Sequence, residues 1–226
     1  MSLILNLETS TKMCSVALAS EGRILGIKEQ GGDYNHAENL TLFIEEVFHQ
    51  ASLPISRLDA IAVSKGPGSY TGLRIGVSVA KGLCYSLGKP LLAIDTLEAL
   101  RQGCIAVYPQ PVSMCPMLDA RRMEVYCALY NKQGKQIQAA NALIVDEQAF
   151  HTELEQEEIV FFGDGAPKCR SVIKHAHAVF LDELEPSARF MISLSEEALT
   201  AARFEDVAYF VPAYLKDFQA GKKTGT

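Results

Sequence analysis

The sequence predicts an α/β chain of two similar lobes, residues 1–105 and 106–226, and three observations lead there. Short apolar strands alternate with amphipathic helices, in the order strand, strand, strand, helix, strand, helix, strand, helix, over the first lobe. The order then begins again at Val112. The stretch from Leu7 through Glu8 to Leu18 also has a counterpart in Leu118 through Asp119 to Leu129, with the same succession of acid, turn and strand.

In chain order, Leu3 to Leu7 is a leucine and β-branched run that ends in Glu8-Thr9-Ser10-Thr11 and reads as a strand. Cys14 to Ala19 alternates with period two, and Ile24 to Lys28 follows the turn Ser20-Glu21-Gly22-Arg23, which gives an antiparallel meander. From Glu38 to Ala51 the period becomes helical: Leu40, Ile44, Val47 and Ala51 share a stripe that Phe43 and Phe48 widen. Asp59 to Ser64 is a short apolar strand. After Gly66-Pro67-Gly68 the chain is helical from Tyr70 to Leu87, until Gly88-Lys89-Pro90 stops it. Leu91 to Ile94 is a strand, and Thr96 is expected to cap a short helix through Arg101. Val112 to Leu118, Glu124 to Tyr130 and Gln136 to Val145 repeat the meander. A helix near Asp146 to Leu154, a strand at Ile159 to Phe162, Gly163-Asp164-Gly165, and a further helix, strand and helix carry the chain to Thr200. No Ser/Gly linker separates the lobes, so they are expected to pack directly on each other.

Of the 226 residues, 48% are hydrophobic and 21% charged, which excludes disorder, collagen and coiled coil. Lys plus Arg number 21 against 27 Asp plus Glu, and the resulting charge of -6 disfavours direct binding of RNA phosphates. No aromatic residues are interleaved with a basic run, and the late basic cluster Lys216, Lys222 and Lys223 reads as solvated. The first ten residues lack a basic leader region, so no secretory signal is expected and the chain is read as starting at Met1. The longest uncharged stretch, Gln102 to Leu118, is broken by Pro109, Pro111 and Pro116 and does not suit a membrane helix. Six cysteines without a C-x-x-C pair read as buried thiols of a reducing cytoplasm.

The most unusual segment is Gly66-Pro67-Gly68-Ser69-Tyr70-Thr71-Gly72-Leu73-Arg74. A P-loop needs lysine after its last glycine, where Leu73 stands, and a dinucleotide fingerprint needs two residues between its second and third glycines, where three stand. What remains is a strand-to-helix turn whose glycines either free amides for an anion or let the helix approach closely. Glu8, Thr9 and Ser10 with Gly66, Gly68 and Ser69, and Asp119 with Gly163 and Gly165, are candidates for a vestigial nucleotide or phosphate site. Glu8 and Asp119 either direct a metal or cap their turns. On the following helix, Leu73, Val77, Ala80, Cys84 and Leu87 form one stripe and Ile75, Val79 and Leu83 another, so a second apolar neighbour is expected: the 38–51 helix or another subunit. Ser78 in Gly76-Val77-Ser78-Val79-Ala80 lies mid-helix, without the strained turn of a nucleophile elbow. His36, His49, His151, His175 and His177 show no metal-ligand spacing. No catalytic or metal-holding residue is expected.

The runs Leu5 to Thr11, Cys14 to Leu18 and Lys65 to Gly76 closely resemble the bacterial TsaB (YeaZ) family. Asp119-Ala120-Arg121, Glu124-Val125-Tyr126, Gly163-Asp164-Gly165 and Pro212-Ala213-Tyr214-Leu215-Lys216 follow in the family's order, so the resemblance spans the chain. It implies the fold shared by actin-like ATPases and sugar kinases, with a reduced C-terminal lobe. It also implies a non-catalytic cytoplasmic subunit of the machinery that makes threonylcarbamoyladenosine next to the tRNA anticodon. That subunit pairs with the catalytic relative TsaD, works with the ATPase TsaE, and forms a homodimer when alone. TsaD carries a metal-binding H-x-x-x-H, and the equivalent positions here are Thr96 and Leu100. Because the family pairs through its N-terminal helices, the resemblance implies an interface at Leu40, Phe43, Ile44, Val47, Leu73, Gly76, Val77, Ala80 and Cys84. Val77→Asp is then expected to abolish both associations. The chain is expected to hold no cofactor tightly, to share ADP or ATP with TsaD at their interface, and to reach tRNA only through the complex. Glu8 stands where the family has aspartate, which shifts any metal-directing carboxylate by one carbon–carbon bond. The alternative reading is a nucleotide-dependent enzyme, or a peptidase of the kind labelled glycoprotease, for which the sequence supplies no nucleophile or metal.

Overall fold

Large and small apolar residues alternate along the central strands, as in Val16-Ala17-Leu18-Ala19 and Ala60-Ile61-Ala62-Val63, and this alternation decides how the first sheet is covered. The computed structural model describes residues 2–32 and 36–216. Its strands β1 (Leu3–Glu8), β2 (Cys14–Ser20), β3 (Arg23–Gln30), β4 (Ala60–Gly66) and β5 (Leu91–Asp95) form a sheet in the order β3-β2-β1-β4-β5. β1 runs antiparallel to β2 and parallel to β4, and β4 runs parallel to β5. The face of large residues, with Leu5, Leu7, Leu18, Ile61 and Val63, packs under α1 (His36–Ala51) and α2 (Tyr70–Leu87). On the other face Ala17, Ala19, Ala60 and Ala62 leave room for close approach by the 3₁₀ turn Ala188–Met191 and α6 (Ile192–Thr200).

The second sheet repeats the first. Its strands are β6 (Ser113–Asp119), β7 (Glu124–Tyr130), β8 (Gln136–Ile144), β9 (Ile159–Phe162) and β10 (Ala178–Phe180), in the order β10-β9-β6-β7-β8. With β6 set against β1, order and strand directions coincide. One face packs on Phe150, Leu154 of α4 (His151–Gln156) and Cys169 of α5 (Ala166–Cys169). The other packs on Leu97, Leu100 and Cys104 of α3 (Thr96–Val107).

The two halves therefore exchange helices: α3 covers the second sheet and α6 covers the first. Residues 188–200, assigned by the sequence to the second lobe, belong to the core of the first. Periodicity reports that a stripe exists, and says nothing about which sheet it meets. Three element ends also differ from expectation, the first being that of α3, which runs on to Val107 where a stop at Arg101 was expected. Asp95, not Thr96, caps α3, its carboxylate accepting from the amides of Leu97 at 3.0 Å and Glu98 at 3.1 Å, a contact worth about 1 kcal/mol. The 146–154 helix starts only at His151, because Phe150 has φ 61° and cannot continue a right-handed turn.

After α6 the chain returns along the first lobe. Glu205 bridges Leu91, Lys81 Nζ donates to the carbonyls of Ala208 at 3.0 Å and Phe210 at 3.2 Å, and the Ala213 amide donates to Lys65 O at 2.7 Å. Tyr214 lies against Tyr70, and Lys216 pairs with Glu124 of the second lobe. Lys222 and Lys223 lie outside the described residues. All six cysteines are free and buried. No helix among the described residues is long and apolar enough to cross a membrane.

Candidate functional site

In the first lobe the candidate phosphate residues meet at the carboxyl ends of β1 and β4, where the amides of Thr9, Ser10 and Ser69 are bonded within the chain while Glu8 Oε2 and Ser10 Oγ have no hydrogen-bond partner among the described residues. The Ser10 amide donates to Glu8 Oε1 at 2.6 Å, the Thr9 amide to Ser64 Oγ at 3.4 Å, and the Ser69 amide to Ser10 O at 2.6 Å. Ser69 then caps α2, accepting from the Gly72 amide at 3.3 Å. A Cβ at Gly68 would lie 2.4 Å from Ser10 O, and one at Gly76 2.3 Å from Thr9 Oγ1. The glycines thus let α2 press onto the β1–β2 turn, where Thr9 Oγ1 donates to Gly72 O at 2.8 Å. Glu8 is fully buried; its Oε2 has no hydrogen-bond partner among the described residues, and burial pushes its carboxyl above the usual range against the pull of the Ser10 hydrogen bonds.

In the second lobe Asp119 is exposed and paired with Lys168, and its Oδ1 also accepts from the Arg121 amide at 2.9 Å. Gly163 and Gly165 bring the following segment onto β6, where a Cβ would lie 2.3 Å from Met117 O and 2.7 Å from the Leu118 carbonyl carbon, respectively. Between them, Asp164 Oδ1 accepts from the Asp119 amide at 3.1 Å. No hydrogen bond or ion pair among the described residues joins this group to the Glu8 group. Burial, opposed by the hydrogen bond from the Asp119 amide and by Lys168 and aided by the charges of Asp119 and Glu185, pushes the Asp164 carboxyl up to about 6 from its ordinary 3.8. The folded state then binds more protons than the unfolded state between those values, so this group's contribution falls as pH rises from about 4 to 6. Asp164→Asn is expected to keep the accepted hydrogen bond and to flatten the stability profile across that window, gaining on the order of 2 kcal/mol over wild type at pH 8 relative to pH 4. Urea unfolding of both proteins at several pH values checks this, and parallel profiles would contradict it.

The residues expected at the partner interface are not on the surface. Leu40, Phe43, Ile44, Val47, Leu73, Gly76, Val77, Ala80 and Cys84 are all buried against the chain's own first sheet, and Ile75, Val79 and Leu83 pack half-buried around the same core. The second neighbour of α2 is therefore its own core and α1. The outward faces carry Thr41, Leu42 and Glu45 on α1, and Arg74, Ser78, Gly82 and Tyr85 on α2. Leu42 is 59% exposed and Tyr85 87%. Both were missed because each stands alone off an apolar stripe. Leu42 lies two residues from Leu40 and from Ile44, a spacing that turns it away from them.

A family model described as TsaD, tRNA N6-adenosine threonylcarbamoyltransferase, matches residues 26–224. A crystal structure of a Pseudomonas aeruginosa protein described as similar to the peptidase YeaZ is 30% identical, with a TM-score of 0.83 over 96% of this chain and all of that one. The chain belongs to the TsaB (YeaZ) family. The Escherichia coli tRNA threonylcarbamoyladenosine biosynthesis protein TsaB is 26% identical over 97% of both chains. The Haemophilus influenzae TsaB is 35% identical over 54% of this chain, a match that spans about half, 51%, of that relative's length. An ADPNP-bound dehydratase activator from Clostridium difficile, 9% identical, superposes with a TM-score of 0.50 over 90% of this chain and 98% of that one, a likeness of fold alone. The fold is accordingly that of actin-like ATPases and sugar kinases, and the two equivalent sheets are its two lobes. In this TsaB-family chain Thr96 and Leu100 are buried at the start of α3, and Leu100 would meet a Cβ on Gly163 at 2.7 Å. Leu100 thus belongs to the packing between the lobes.

Proposed function

We propose that this chain is a non-catalytic subunit of the cytoplasmic machinery that makes threonylcarbamoyladenosine in tRNA, pairing with the catalytic relative TsaD through the outer faces of α1 and α2. The observation that carries the reading is the pair of exposed apolar side chains, Leu42 and Tyr85, on two adjacent helices whose remaining outer residues are small or polar. Charge supports it: the outer face of α1 carries Glu38 and Glu45, and that of α2 carries Arg74. A partner of the same fold that sets its α2 against this α1 joins acid to base. The same surface serves a homodimer when the chain is alone. The names of the relatives supply the pathway, and Thr96 and Leu100, standing where TsaD has its metal-binding histidines, support the non-catalytic role. The Ser10 and Ser69 amides, already bonded within the chain, favour nucleotide held at the TsaD interface over nucleotide held by this chain alone. TsaE and tRNA then act on the assembled complex.

Co-expression with TsaD of the same organism tests the pairing. The two chains are expected to co-elute, and Leu42→Glu with Tyr85→Glu is expected to separate them while leaving the melting temperature within a few degrees, since both side chains face solvent. Wild-type chains that elute apart would overturn the reading.

A further inference from the structure

The turn between β6 and β7 is built from residues that the backbone there disfavours. Arg121 and Arg122 have φ 71° and 51°, so two consecutive arginines occupy the left-handed region at the tip of a tight hairpin. The turn is closed by the Ala120 amide on Glu124 O at 3.1 Å and the Glu124 amide on Arg121 O at 3.2 Å. The chain's other short hairpins place a glycine at a positive φ, Gly22 at 74° beside Glu21 at 51° between β2 and β3, and Gly134 at 76° between β7 and β8, whereas the β6–β7 turn has no glycine at all. Two arginines at positions where Gly or Asn fits without strain thus sacrifice stability.

Apart from the Arg121 amide, which donates to Asp119 Oδ1 at 2.9 Å, no hydrogen bond or ion pair of the two arginine side chains among the described residues offsets that loss. Both side chains are exposed, and among the described residues neither guanidinium meets a carboxylate, whereas Arg101, Arg170, Arg189 and Arg203 each do. The acids at the base of the hairpin are already paired, Asp119 with Lys168 and Glu124 with Lys216. The tip therefore presents two unneutralised, planar, fork-shaped cations on a chain whose formal charge is -6.

We infer that Arg121 and Arg122 form a contact for phosphodiester groups of a polynucleotide that the assembled complex holds against the second lobe. The inference rests on the RNA-modification reading for the choice of polynucleotide; the anion-binding chemistry rests on the turn itself. Two charges on an acidic chain are too few to bind RNA strongly alone, but within a complex they add two phosphate contacts and their release of counterions. An exposed hairpin tip suits a backbone that passes over a surface better than a small ligand that needs enclosure.

The test is a salt titration of tRNA binding by the complex of this chain with TsaD. Arg121→Gln with Arg122→Gln is expected to reduce the slope of log affinity against log salt by about 1.4–1.8 and to weaken binding roughly tenfold at low salt. Arg121→Asn with Arg122→Gly, which places residues tolerant of a positive φ at both positions, is expected to lose binding equally while the melting temperature rises by about 3–6 °C. An unchanged slope in both variants overturns the inference. So does loss of ADP or ATP binding with an unchanged tRNA slope, which would assign the tip to a free nucleotide, or loss of TsaD association, which would assign it to protein. If the wild-type chain does not pair with TsaD, the pairing reading fails by itself. The same titration on the full chain alone at low salt then decides the phosphate contact, with an unchanged slope again overturning it.

Discussion

Val77→Asp is expected to unfold the first lobe, not merely to release a partner. Val77 is 4% exposed and lies in the cluster formed by α1, α2 and the large-residue face of the first sheet. A carboxylate there either ionises without a cation or takes up a proton and still lacks hydrogen-bond partners, at a cost of several kcal/mol. That cost is comparable with the whole stability of a typical domain, about 5–15 kcal/mol. Circular dichroism and thermal melting should show loss of the cooperative transition, and any loss of association would follow from unfolding. A Val77→Asp protein that melts as wild type does would refute the assignment of this stripe to the core. The informative contrast is Tyr85→Glu, two turns further along the same helix on its outer side, where the fold is expected to be untouched.

The second large effect comes from glycines of opposite sign on one helix. A Cβ at Gly72 would stand 2.1 Å from Thr9 O and 3.3 Å from the Thr9 carbonyl carbon, both backbone atoms at the end of the central strand. Neither can yield without moving β1 or α2, so Gly72→Ala is expected to cost about 3 kcal/mol. At Gly82 nothing stands within 4 Å, and the position is exposed in the helix interior. Gly82→Ala is expected to gain about 1 kcal/mol through helix propensity. Urea midpoints that move in opposite directions for the two variants would bear this out. A stabilised Gly72→Ala would show that α2 does not press on the turn as described.

The elements were legible because the strands are short apolar runs, alternating in size in β2 and β4, and the helices are bounded by strong stops such as Gly88-Lys89-Pro90. The repeat could be read from Glu8 and Asp119, and the observed sheet orders match it strand for strand. What the sequence withheld was direction. On α2 the pattern displays two apolar stripes, and only the structure reveals that both turn inward, which left the outer face to be recognised from Tyr85 and from Leu42 on α1. Asp95 and Thr96 are both good caps, and the choice between them depends on where the last strand residue turns. The Arg121-Arg122 turn was visible as a turn. Its strain was not, since backbone angles have no signature in a pair of arginines.

The exchange of helices between the halves has a consequence for synthesis of the chain. The alanine face of the first sheet, with Ala17, Ala19, Ala60 and Ala62, finds most of its cover in residues 188–200, with Ala99 of α3 at its side. On a ribosome adding about 5–20 residues per second, that face of the emerging first lobe waits on the order of ten seconds for its lid. A nascent chain halted between the lobes would present a flat, small-residue apolar surface to its surroundings, one that a chaperone or a second nascent copy could occupy. Production of the first lobe alone, ending near residue 105, should accordingly yield aggregates unless residues 186–200 are supplied in trans.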